Sequence, residues 1–259
     1  MRGRVAAVGL AVALALAGCG DDDGGDDGGS TATTSTSAGP STTGPSTTGA
    51  PTTTSGTATP TTAPDGELPG TPVDLPPRAG ASLAVVGVAA DDVLNVRLGP
   101  GTTFDVVTTL APLAEGIVAA GENRQLDSGA VWARVEADGT DGWANSAFLL
   151  QRGTTTDETA SHYPTPADRP LAADLVALGE EVAGEFASTE PRSRVTVVDG
   201  PQEGDVGEVT LDVLGIGDDS VGGYRLHVFA EPDAGGFRLR SLEVTVLCSR
   251  GADDQGRCA

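Results

Sequence analysis

Leu94-Asn95-Val96-Arg97-Leu98-Gly99-Pro100-Gly101-Thr102 decides how the folded part of this 259-residue chain is read. Apolar Leu94 and Val96 alternate with polar Asn95 and Arg97, the period of a strand that buries one face. Gly99-Pro100-Gly101 then supplies a sharp reversal, because Pro presets φ and Gly tolerates conformations closed to other residues. Outward from this stretch, apolar or β-branched runs at 82–88, 93–97, 106–110, 116–121, 131–136, 142–144 and 148–150 are separated by Gly, Pro and Asp. So many short strands over 82–150 predict a small barrel, since a flat sheet of that size would leave one face uncovered and its edges open.

Three stretches together resemble the bacterial SH3 domain over 82–150. They are residues 94–102, Val131-Trp132-Ala133-Arg134-Val135, and Gly142-Trp143-Ala144-Asn145-Ser146-Ala147-Phe148-Leu149. The chain departs from the family at Leu98, at Phe148 in place of a Tyr, and in the long polar excursion 123–130. Bacterial SH3 modules are associated with cell-envelope targeting, often to peptidoglycan or its peptides, and usually sit beside a catalytic domain. The resemblance implies a ligand-contacting face made of Asn95, Arg97, Phe104, Trp132, Trp143 and Asn145. A structural role is the alternative for several of these: Trp143 as core, Gly-Pro-Gly as turn-former, Arg97 as one half of an internal salt bridge. With Phe104, Trp132, Trp143 and Phe148 the only aromatic residues in 82–150, any peptide groove of the SH3 kind is small.

Residues 151–167, with His162-Tyr163-Pro164-Thr165-Pro166, read as a linker. Beyond it Leu171, Leu175, Leu178, Val182 and Phe186 recur every three or four residues, predicting an amphipathic helix with Pro170 in its first turn. The period then changes to that of strands at 194–198, 206–216, 224–230 and 236–248. In the last of these the apolar parity switches between Leu239 and Leu242, which calls for a bulge near Arg240-Ser241. Residues 168–259 are therefore expected to form an α+β module, one helix on one face of a three- or four-stranded antiparallel sheet. The expected fold class is mainly β with α+β: an SH3-like small β-barrel, then this second module, preceded by a signal peptide and a disordered stalk.

The beginning of the sequence carries an address. Met1-Arg2-Gly3-Arg4 precedes an apolar run over 5–17, the layout of a signal peptide over 1–18. Those 13 residues fall short of the roughly 20 needed to span a bilayer. Leu16-Ala17-Gly18-Cys19 resembles the lipobox of bacterial lipoproteins. It implies that Cys19 is lipidated on its thiol and holds the chain to the outside of the cell membrane, two acyl chains giving stable anchoring. From 30 to 64 there are 15 Thr, 6 Ser and 5 Pro with no apolar period, so 19–80 is read as a disordered spacer. With Cys19 lipidated, Cys248 and Cys258 remain, and in an exported chain they are expected to form a disulfide.

Charge and side-chain inventory remove several functions. The net charge is −22, from 15 Arg and no Lys against 37 Asp and Glu. No basic face is left to displace counterions from a nucleic acid. The two histidines, His162 and His227, stand in no recognisable motif with a Ser or Cys nucleophile. Glu180-Glu181, Asp218-Asp219 and Asp253-Asp254 are adjacent pairs, which read as solvated charge and not as glycosidase carboxylates. No catalytic residue, metal site or cofactor motif is assigned. The leading expectation is a non-enzymatic envelope lipoprotein whose SH3-type module binds peptidoglycan or wall peptides. Two alternatives stay open: a wall hydrolase with its site in 168–259, and an envelope sensor with a small-ligand pocket between sheet and helix.

Overall fold

The computed structural model describes residues 67–259. The expected signal peptide, the lipidation of Cys19 and the spacer up to residue 66 lie outside the described residues. Thirteen strands follow: β1 Thr71–Pro72, β2 Ser82–Val85, β3 Leu94–Arg97, β4 Val106–Leu110, β5 Ile117–Gln125, β6 Val131–Ala137, β7 Thr140–Asn145, β8 Leu149–Asp157, β9 Leu171–Ala172, β10 Arg194–Gln202, β11 Gly207–Leu214, β12 Val221–Asp233 and β13 Gly236–Cys248. Helix α1 is a single turn, Thr159–His162, and α2 spans Leu175–Gly184. The protein is mainly β, and its strands join in one antiparallel path, β10-β11-β12-β13-β8-β2-β5-β6-β7-β3-β4, with β1 added on β5 and β9 on β13.

That path is open, where a closed barrel over 82–150 was expected. It ends at β4, which pairs with β3, and at β10, which pairs with β11. Between the two halves of the path lies β8. Its first residues, Leu149 and Leu150, pair with Val85 and Ala84 of β2, but the strand runs on through Asp157 and pairs with β13. Residues 151–157 are thus a strand joining the two halves, not a linker. Their polarity hides a strand former, because Thr154-Thr155-Thr156 is a β-branched run, and the hydroxyls of Thr155 and Thr245 meet across the pair at 2.7 Å.

Two apolar cores lie on either side of this junction. In the first, Leu83, Val85, Leu94, Val96, Ile117, Val135 and Leu149 are buried. Leu94 and Val96 face inward while Asn95 and Arg97 stay half-buried, as their alternation requires. In the second, Leu175, Leu178 and Val182 of α2 pack on Leu211, Val213, Leu226, Leu242 and Val244 of the sheet. Each such side chain contributes about 1.5–3 kcal/mol by leaving water.

Three expectations are corrected at element ends. The helix starts at Leu175, not at Pro170, because the Asp174 side chain caps it by accepting from the Ala177 N–H at 2.8 Å. Leu171 and Ala172 instead pair with Arg238 and Phe237. Phe186 lies just past the helix end, its N–H donating to the Ala183 carbonyl. The spacer, read as reaching residue 80, is pinned earlier. The Arg124 guanidinium donates to the carbonyls of Leu68, Pro69 and Gly70, and the Asn123 amide donates to those of Leu75 and Pro77. Two side chains of β5 thereby satisfy a Pro-rich segment that cannot build a full ladder of its own. The bulge falls at Arg240: Phe229 pairs with Ser241 and Ala230 with Leu239, leaving Arg240 without a partner in the register. Cys248 and Cys258 are disulfide-bonded.

The halves meet through a buried ion pair as well as apolar packing. Arg225 on β12 grips Asp212 on β11 with Nε to Oδ1 at 2.8 Å and Nη2 to Oδ2 at 2.9 Å. Arg225 Nη2 also donates to the Val85 carbonyl, and the Gly87 N–H donates to Asp212 Oδ2 at 2.7 Å. Gly87 has φ +62°, and a Cβ there would stand 2.6 Å from both Arg194 Nη2 and Leu214 Cδ1. Only glycine fits a left-handed residue so closely covered. Val86, Leu214 and Leu247 close the junction, with Leu150 against them.

Candidate functional site

A cavity of about 370 Å³ opens where β3, β6 and β7 face the loop after β2 and strand β10. That volume is within the usual range of small-ligand sites. Val93, Leu94 and Trp132 form apolar wall, while Asn95, Arg97 and Asn145 bring polar groups to it. Asp92 lines it at one side and Thr196 of β10 at another, so residues from both halves of the protein build it.

Arg97 and Asn145 are held in place. Arg97 Nη1 donates to the Phe104 carbonyl at 2.7 Å, which fixes the guanidinium and commits one of its five N–H donors. The salt bridge considered for Arg97 from sequence is not the contact it makes. Asn145 Oδ1 accepts from the Ala147 N–H and caps the 3₁₀ turn Ser146–Phe148, leaving its amide N–H₂ to point elsewhere. The rim on the far side is tied down by the Ala90 N–H donating to the Val197 carbonyl, and by the Arg194 guanidinium standing 5.3 Å from the centroid of the Phe148 ring.

Of the six side chains singled out in the sequence, Asn95, Arg97, Trp132 and Asn145 line this one cavity. Phe104 and Trp143 do not. The Phe104 ring packs on the turn, where a Cβ on Gly99 would come 2.5 Å from it. Trp143 is 4% exposed and pairs in register with Arg97 and Arg134, so it builds the sheet. The same turn supplies both results: Gly99 makes room for Phe104, and Phe104 turns its carbonyl to Arg97. Sequence reasoning missed Thr196, because nothing local to β10 signals that it will face β3.

The cavity brings two carboxamides and a guanidinium to one apolar wall. The Asn95 carboxamide can donate and accept at once, the Asn145 amide N–H₂ can donate, and a guanidinium suits a carboxylate. Its lining holds no Ser, Cys or His. Among the described residues no group of three or more His, Cys, Asp or Glu is placed to hold a metal ion. Three of the paired carboxylates serve the fold: Asp218 accepts from the Ser220 and Val221 N–H groups, Asp219 pairs with Arg250, and Asp253 pairs with Arg257. Compared with family models, curated proteins and solved structures, the chain matches none.

Proposed function

We propose that this chain is a non-catalytic lipoprotein of the bacterial envelope, tethered through lipidated Cys19, whose SH3-type module over 82–150 binds wall peptides in the cavity around Asn95 and Trp132. The observation that carries the reading is the convergence of Asn95, Arg97, Trp132 and Asn145, from three different strands, on one cavity. Two carboxamides and a guanidinium beside an indole wall suit a short peptide ending in a carboxylate better than a bare sugar chain. Thr196 makes the C-terminal half part of the binding site and not a separate cargo.

The test is retention of the full chain on purified peptidoglycan, with free stem peptide as competitor. Val93 is 42% exposed at the cavity, so Val93→Arg blocks it without touching the core. The expected result is retention by the native chain, competition by peptide, and loss of retention in Val93→Arg and Asn95→Ala with unchanged circular dichroism. Muropeptide release by the native chain, or retention indifferent to both substitutions, would overturn the proposal.

A further inference from the structure

A second cavity, of about 480 Å³, lies on the other half of the protein and away from the peptide cavity. It exists because α2 stops at Gly184 before covering the whole apolar face of the sheet. Tyr224, Val244 and Val246 form its floor, the turn 186–188 one wall, and α1 another. Three rings run continuously along it: His162 and Phe186 have centroids 4.7 Å apart, and Phe186 and Tyr224 meet edge-on at 5.5 Å.

The polar groups beside these rings are acidic. Glu158 and Glu185 both line the cavity, and no Arg does. Glu185 Oε2 sits 3.0 Å from His162 Nδ1, and Glu158 Oε1 accepts from the Thr156 hydroxyl at 2.8 Å. The Ser161 and Thr156 hydroxyls hold the Glu158 carboxyl below its ordinary range, so it is ionised at neutral pH. Ring faces carry negative quadrupole potential and attract a cation within about 6 Å. Rings plus two carboxylates, with His162 the one basic side chain among them, make a concave surface that is mainly acidic.

We propose that this cavity binds a small organic ammonium ion, its charged head against Phe186, Tyr224 and Glu185 and its alkyl part on Val244 and Val246. An anion is repelled by the carboxylates. A neutral apolar ligand gains only the floor and no attraction from Glu158 or the ring faces. The site stands whether or not the other cavity binds wall peptides, since the two share no residue.

Calorimetric titration of the full chain tests it with choline, with n-butylammonium and with 3,3-dimethyl-1-butanol, the uncharged isostere of choline. Saturable binding of at least one ammonium ion is expected, with the alcohol bound at least about tenfold more weakly. Phe186→Leu and Glu185→Gln each weaken ammonium binding several-fold, while Asn95→Ala, in the other cavity, leaves it unchanged. Glu185 is exposed and Phe186 half-buried, so both variants are expected to keep the native melting temperature within a few degrees. Equal affinity for the alcohol, no saturation at millimolar ammonium, or binding indifferent to Phe186→Leu and Glu185→Gln would overturn the proposal. So would equal weakening by Asn95→Ala.

Discussion

Arg225→Ala is the substitution that most directly tests how the two halves are held together. The guanidinium makes two bonds to Asp212 and a third to the Val85 carbonyl, and the side chains of Arg225 and Asp212 are 7% and 0% exposed. Truncating Arg225 leaves the Asp212 carboxylate buried with the Gly87 N–H as its remaining partner from this network. Removing one member of such a pair costs about 3–5 kcal/mol, most of it the penalty of an uncompensated charge. For a unit of this size each kcal/mol lowers Tm by about 2–4 °C, so the expected loss is about 6–20 °C. Urea unfolding followed by two signals is the assay. Both tryptophans, Trp132 and Trp143, lie on the β3–β7 side, so indole fluorescence reports that half, while far-ultraviolet dichroism reports all strands. The native chain should give coincident transitions; Arg225→Ala should be destabilised and should separate the two signals. The double change Asp212→Leu with Arg225→Met removes both charges and should recover more than about 1 kcal/mol of the loss. A cost below about 1 kcal/mol for Arg225→Ala, with transitions still coincident, would refute the claim that this pair joins the halves.

Three further outcomes follow from the described contacts. Cys258→Ser opens a loop whose ends are 10 residues apart and should cost about 2–3 kcal/mol, checked by urea midpoints with and without reductant; a native chain indifferent to reductant would count against it. Tyr163 is 5% exposed with its hydroxyl oxygen buried near the Glu185 carboxylate but outside good hydrogen-bond geometry, so Tyr163→Phe should change stability by no more than about 1 kcal/mol in thermal melts. Hydrogen bonds from the Val221 and Ser220 backbone and from the Ser220 hydroxyl hold the Asp218 carboxyl below its ordinary range. Because the folded value is the lower one, this contribution is full above about pH 4 and is lost as pH falls from there through the folded value. Melting temperatures between pH 6 and pH 2.5 should therefore fall less steeply in Asp218→Asn than in the native chain.

How far local sequence reaches is clearest on β3. The alternation of residues 94–97 determined which side chains face the core, and Gly99-Pro100-Gly101 determined where the chain reverses, because both follow from backbone geometry within a few residues. The apolar stripe Leu175, Leu178, Val182 was readable for the same reason, and the parity switch located the bulge at Arg240. The start of α2 was misread because Pro170 and Asp174 both favour a helix start, and Leu171 and Ala172 found β13 to pair with. The polar stretch 151–157 looked like a linker until a partner strand was present for its threonines.

Residue types and local periods are thus set by the chain itself: mainly β, an acidic surface, a cysteine pair free to close, and four of the side chains that come to line the cavity beside β3. What only the tertiary structure decided are the relations between distant segments. Asp212 and Arg225 lie 125 and 140 residues from the backbone groups of Gly87 and Val85 that they bond. Thr196 reaches the cavity of β3, and His162, Phe186 and Tyr224 become neighbours around a second one. No local signal encodes these meetings, since they depend on which sheet edge β8 joins and on where α2 leaves the sheet bare.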